Sequence, residues 1–138
     1  GLMAFATGSS WGAFGILLPL AGQLMNASPG GNELLIAAFG AVIAGSVFGD
    51  HCSPISDTTI LSSTGAGCKV STHVNTQLPY ALVAAGSSLV GYVVFAATGV
   101  APAGFAVMLL VLVAAALVLR ARYGGERSVN SGVAAGAA

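Results

Sequence analysis

Two carboxylates, Asp50 and Asp57, stand in sequence that is otherwise apolar. A carboxylate at bilayer depth costs about 2.5–3.5 kcal/mol on insertion scales, so a chain that keeps one there generally uses it. Ser53, Ser56 and Thr58 lie beside them with hydroxyls that can donate or accept. Carboxylate, hydroxyl and unwound carbonyl oxygens together suit a small hard cation such as sodium, and a proton that competes for the same oxygens. The plain alternative is an idle acid pair in an exposed loop. Residues 34–49 and 55–66, which flank the pair, are too apolar for such a surface.

Pro54 explains how carbonyls would become available. It has no N–H, and its ring collides with the carbonyl four residues earlier, at Asp50. Ser53 is pushed towards extended backbone. Residues 34–67 therefore read as a broken helix whose first half ends in carbonyls from about residues 46–49. The second half begins after Ser56 or Asp57, each a good N-cap. An earlier stretch, Thr7-Gly8-Ser9-Ser10-Trp11-Gly12, interrupts apolar residues 2–6 and 13–22 in the same way. It offers Thr7, Ser9 and Ser10 as further oxygen ligands and glycines that expose backbone. A lipid-exposed backbone could not be satisfied at these depths, so residues 1–22 read as a re-entrant hairpin with its tip at the break. A simple surface turn is the bland alternative for that stretch.

The elements that must position these residues are membrane elements. Of 138 residues, 56% are hydrophobic and 6% charged, with a mean hydropathy of +0.91. A soluble domain carries about 25% charged residues, so lipid is the expected solvent and partner. Residues 78–100 and 101–119 read as ordinary transmembrane helices joined by a tight hairpin. The second is about 28 Å long at 1.5 Å per residue, against a hydrocarbon core of about 30 Å. Residues 1–123 thus read as an all-α transmembrane fragment, which the oxygen-rich breaks would make a transporter fragment. Residues 124–138, rich in Gly, Ala and Ser, read as a disordered tail. Residues 26–33 and 68–77 read as surface loops. Arg120 and Arg122 follow the last span, and by the positive-inside rule they place the C-terminus in the cytoplasm.

Other classes fit less well. The net charge is zero, which gives no nucleic-acid footprint. Cys52 and Cys68 form no disulfide framework, and with His51 and His73 they match no common zinc spacing; packing and loop roles account for all four. No cofactor is expected beyond the transported ions. The chain opens on Gly1-Leu2-Met3 inside an apolar run with no charged leader, so it reads as a fragment with its upstream part missing.

At its breaks the chain resembles NhaC-type sodium/proton antiporters. The resemblance rests on Phe5-Ala6-Thr7-Gly8-Ser9-Ser10-Trp11-Gly12 and on Gly49-Asp50-His51-Cys52-Ser53-Pro54-Ile55-Ser56-Asp57-Thr58-Thr59-Ile60-Leu61-Ser62-Ser63. The segment His73-Val74-Asn75-Thr76-Gln77-Leu78-Pro79-Tyr80-Ala81 extends it, to cover roughly residues 2–98. Such transporters are built from two inverted repeats, each with a re-entrant hairpin and a broken helix. The resemblance implies that this chain is the second repeat and that its partner is an N-terminal repeat of the same protein. It also implies a prokaryotic cell membrane and sodium/proton exchange, with a second copy of the chain as a candidate partner. Thr7, Ser9 and Ser10 fall at the hairpin tip, and Asp50, Ser53, Ser56, Asp57 and Thr58 at the break. Ala13 departs from the pattern, since a hydroxyl is expected there. Similar proteins exchange malate for lactate with sodium and protons, so the substrate does not follow from the fold.

Two further readings compete. An intramembrane aspartyl protease needs Gly-x-Gly-Asp, whereas this chain has Val47-Phe48-Gly49-Asp50, with both acids on one broken helix. A small, complete, non-transporting membrane protein is the other. Upstream coding sequence carrying a first repeat distinguishes it from the antiporter.

Overall fold

The computed structural model describes residues 1–123, and the expected disordered tail at 124–138 lies outside them. The described residues are all-helical: α1 (Leu2–Thr7), α2 (Ser10–Ala27), α3 (Gly31–Cys52), α4 (Asp57–Gly65), α5 (Val70–Thr98) and α6 (Ala101–Tyr123). Gly31–Cys52, Val70–Thr98 and Ala101–Arg122 are long and apolar enough to cross a membrane. Many of their large apolar side chains face outward, among them Ile36, Leu89, Val93, Leu110 and Leu117. Few apolar side chains are buried; the enclosed interior holds small and hydroxyl residues instead, including Ser46, Ser53, Ser56, Ser63, Ala4 and Ala13. That inversion is expected where lipid, not water, wets the surface.

The chain divides into two compact units, Gly1–Ala85 and a second beginning at Gly86. In the first, α2 and α1 both pack on α3, and α4 touches its end. Gly8 reverses the chain between α1 and α2 with a left-handed φ of 66°, which L side chains rarely adopt. Ser9 then caps α2, its Oγ accepting from Gly12 N at 3.3 Å. α1 runs along the last turns of α3, because Gly49 leaves room for the backbone of Gly1 and Phe5 where a Cβ would collide. Ser10 meets Asp50 and Gly22 meets Phe39, so α2 runs antiparallel to α3. α1 and α2 thus form a helical hairpin whose tip lies against the end of α3.

Some boundaries differ from those read in the sequence. α2 continues through the polar residues to Ala27, and only residues 28–30 turn; Ser28 closes the helix with Oγ to Leu24 O at 2.8 Å. The helix before the break is longer than expected: α3 has 22 residues and is long enough to span a bilayer alone, and Pro54 lies just beyond its end. The helix keeps Asp50 and stops at Cys52, with Ser53 extended at φ −76° and ψ 128° ahead of the proline. α5 begins at Val70 and carries Pro79 inside it, where the expected surface loop at 68–77 is largely helical. Thr76 Oγ1 bonds back to Thr72 O and His73 O within that turn.

In the second unit the later part of α5 packs on α6 through glycines. A Cβ on Gly104 would lie 2.6 Å from Gly91 O, and one on Gly91 would lie 2.9 Å from Gly104 O. Only small residues permit so close an approach.

Candidate ion-binding site

The hairpin tip and the α3–α4 break meet. A Cβ on Gly8 would lie 2.9 Å from Ile55 O, so the tip rests on the backbone of the break itself. Ser53 ties the two together from the other side: its Oγ donates to Phe5 O at 2.8 Å. Its Oγ also accepts from Ile55 N at 3.4 Å, which holds the backbone just after the proline.

Asp50 sits at this junction, in the last turn of α3, and is 9% exposed. Ser56 Oγ donates to Asp50 Oδ1 at 2.8 Å, and Ser10 Oγ approaches Oδ2 at 3.5 Å. Thr58 joins through Ser56, with the two hydroxyls 2.7 Å apart. Ser56 is the N-cap residue of α4, yet its side chain makes no capping bond. Its hydroxyl is turned to the carboxylate instead.

Asp50, Ser10, Ser56 and Thr58 therefore come together, with Ser53 as the tether beneath them. The other expected residues are placed elsewhere. Thr7 Oγ1 donates to Met3 O at 2.9 Å, inside its own helix. Ser9 is spent on capping α2. Asp57 is exposed at the start of α4, where its Oδ1 accepts from Thr58 N at 2.9 Å. No group of three His, Cys, Asp or Glu side chains gathers as a metal cluster among the described residues.

Such a cluster has one evident chemistry. Among the described residues this nearly buried carboxylate is held by neutral hydroxyls and makes no ion pair, and burying such a charge is costly. A proton or a bound cation removes that cost. The hydroxyls can serve both states, since each can donate to the bare carboxylate or turn a lone pair to a cation.

The sequence profile of the Na+/H+ antiporter family matches residues 1–97, which include all of this cluster. The chain belongs to the Na+/H+ antiporter family. It is thus part of a multi-pass membrane protein of a transporter family, not of an enzyme family. It is 57% identical over 105 residues to an uncharacterized protein of Haemophilus influenzae, covering 75% of this chain and 20% of that protein. An uncharacterized Na(+)/H(+) antiporter of the same organism is 38% identical over 73 residues, covering 53% of this chain and 15% of that protein. The malate-2H(+)/Na(+)-lactate antiporter of Bacillus subtilis is 40% identical over 78 residues, covering 56% and 16%. The chain spans a fifth or less of the length of these relatives. No solved structure matches it.

Sequence reasoning missed two features of this antiporter-family site. His51 O receives Thr59 Oγ1 at 3.4 Å and Gln77 Nε2 at 2.5 Å, so one carbonyl at the end of α3 is fully engaged and the position of the break is pinned by α5. Ser46, one turn before Asp50, is fully buried, and its Oγ has no hydrogen-bond partner among the described residues. Its spacing from Asp50 was the one available signal, since residues four apart share a helix face.

Proposed function

We propose that this chain forms an ion-coupling part of a sodium/proton antiporter, with sodium and protons competing for Asp50. The observation that carries the reading is a nearly buried Asp50 whose partners are the neutral hydroxyls of Ser56 and Ser10. In the proton-loaded form the carboxyl is neutral. In the sodium-loaded form the cation takes the carboxylate and the hydroxyl oxygens of Ser10, Ser56 and Thr58. Each form buries no net charge, which is what lets a carrier change its facing without an unpaired charge in a low-dielectric interior. Asp57, exposed at the start of α4, acts as a helix-terminal acid in this reading.

The α1–α2 pair is the re-entrant hairpin of the second inverted repeat of an NhaC-type protein, and α3–α4 is its broken helix. Alternating access then needs the first repeat, which would come from the same polypeptide. The membrane is the cell membrane of a prokaryote, with the C-terminus cytoplasmic. The names of two relatives share sodium and protons, and one adds malate and lactate. The coupling site proposed here serves either kind of exchanger.

The test uses the native gene product that carries this chain, reconstituted in vesicles with a proton-sensitive dye. Asp50→Asn abolishes sodium-driven proton movement and leaves insertion intact; Asp57→Asn retains it. In the parent, the sodium concentration for half-maximal exchange falls as pH rises, because protons leave the shared oxygens. Adding malate or lactate separates the two kinds of exchanger. Normal exchange by Asp50→Asn removes this site from the mechanism.

A further inference from the structure

Ser46 lies one helical turn from Asp50 on α3, on the same face. Helical side chains lean towards the N-terminus, so Ser46 lies on the side of Asp50 to which its side chain leans, although the Ser46 hydroxyl bonds to neither carboxylate oxygen. The register of α2 against α3, with Ser10 at Asp50 and Gly22 at Phe39, brings Ala13 level with Ser46. Ala13 and Ser46 are both 0% exposed. Alanine offers no hydrogen-bond partner, and the Ser46 hydroxyl does not bond back into its own helix either. A hydroxyl in that state is worse than a methyl group if packing is its only duty, because a buried donor without a partner carries its full desolvation cost.

We propose that Ser46 is a ligand for the transported cation, supplying an oxygen from the side of Asp50 away from Ser56. Ser10, Ser56 and Thr58 surround the carboxylate at the break, and Ser46 closes the set from within the helix bundle. The cation thereby gains oxygens on both sides of Asp50 and gives the Ser46 lone pairs their partner. This rests on the reading of Asp50 as the ion site.

The experiment measures the thermal midpoint of the purified native gene product in detergent as sodium chloride replaces choline chloride at constant ionic strength. A ligand at concentration L that binds only the folded protein stabilises it by RT ln(1 + L/Kd), so the midpoint begins to climb once the ligand concentration approaches Kd. Ser46→Ala should be as stable as the parent, or more so, without sodium, while the sodium concentration at which the midpoint begins to rise moves about tenfold higher. Ser46→Cys keeps a side chain of similar size but replaces the hard oxygen with sulfur, and it should shift the same way. Sodium affinity within twofold of the parent in both variants overturns the proposal. A parent with neither a sodium response nor exchange overturns the antiporter reading together with this inference. A parent that responds, an Asp50→Asn that does not, and an unaltered Ser46→Ala overturn this inference alone.

Discussion

Gly8→Ala tests the contact on which the whole site depends. Gly8 has φ +66°, and an added Cβ would lie 2.9 Å from Ile55 O, 3.0 Å from Ile55 C and 3.1 Å from Ile55 Cγ1. Gly30 has nearly the same conformation, φ +71°, but nothing lies within 4 Å of its would-be Cβ. Gly30→Ala therefore isolates the conformational cost, about 1–2 kcal/mol for a left-handed alanine. Gly8→Ala adds a backbone collision, for which overpacking data suggest about 1–3 kcal/mol more. Relieving it to an ordinary 3.4 Å contact needs a separation of 0.5 Å (3.4 − 2.9) between tip and break. The Ser10–Asp50 approach is already 3.5 Å, and a further 0.5 Å takes it beyond hydrogen-bond range. The assay is unfolding of the native gene product in mixed detergent micelles followed by helical circular dichroism, with sodium-driven exchange measured in parallel. Gly8→Ala should be the less stable variant by about 1–3 kcal/mol and should bind sodium more weakly. Equal stability of the two variants within about 0.5 kcal/mol would refute the tip-on-break contact.

Ser9→Ala should cost about 1 kcal/mol through loss of the α2 cap, with sodium affinity unchanged, since the Ser9 hydroxyl is engaged with Gly12 N. Gly104→Leu should separate α5 from α6 in the second unit, seen as loss of a disulfide-trapped cross-link between cysteines placed nearby, because the Gly91 carbonyl leaves no room for a side chain. A reporter after Ala138 should read as cytoplasmic and a cysteine at the exposed Asn26 should label from outside; labelling of that cysteine only from inside reverses the orientation.

The apolar segments and both interruptions were legible in the sequence because each rests on local chemistry. Gly8 permits the left-handed turn, and Pro54 stops a helix wherever it falls. The length of α3 was not legible. A proline marks where a helix ends but says nothing of how much helix precedes it, and polar residues such as Asn32 and Glu33 read equally well as loop or first turn. The start of α5 was hidden for a similar reason: Ser71, Thr72 and Asn75 favour turns locally, but their spacing is compatible with a solvated helical face. Among the site residues, membership of the cluster was a tertiary matter. Thr7, Ser9 and Ser10 are equivalent in composition, and only the register of α2 on α3 selects Ser10. Ser46 carries no motif beyond its four-residue spacing from Asp50, and it stands out only once its burial and unpartnered hydroxyl are known.

The same local chemistry separates the two acids once helix polarity is considered. Asp57 occupies the first turn of α4, where free N–H groups and the positive end of the helix dipole stabilise a carboxylate, typically by about 0.3–1 kcal/mol. An acid there needs no function to be retained. Asp50 occupies the last turn of α3, beside carbonyl oxygens and at the negative end of that dipole, where a cation is favoured and a carboxylate is not. It is also nearly buried, and its neighbours are neutral hydroxyls. Burial and the helix dipole thus act against a bare charge at Asp50 while the Ser56 and Ser10 hydroxyls support it, and a cation or proton taken up as proposed would relieve the first two. Ser56 carries the argument one step further. At a helix N-cap its hydroxyl would ordinarily satisfy a backbone N–H of α4, yet it is turned to Asp50 across the break. A local capping bond is thus exchanged for a charge-assisted hydrogen bond across the break, which fixes the start of α4 against the residue proposed to couple the ions.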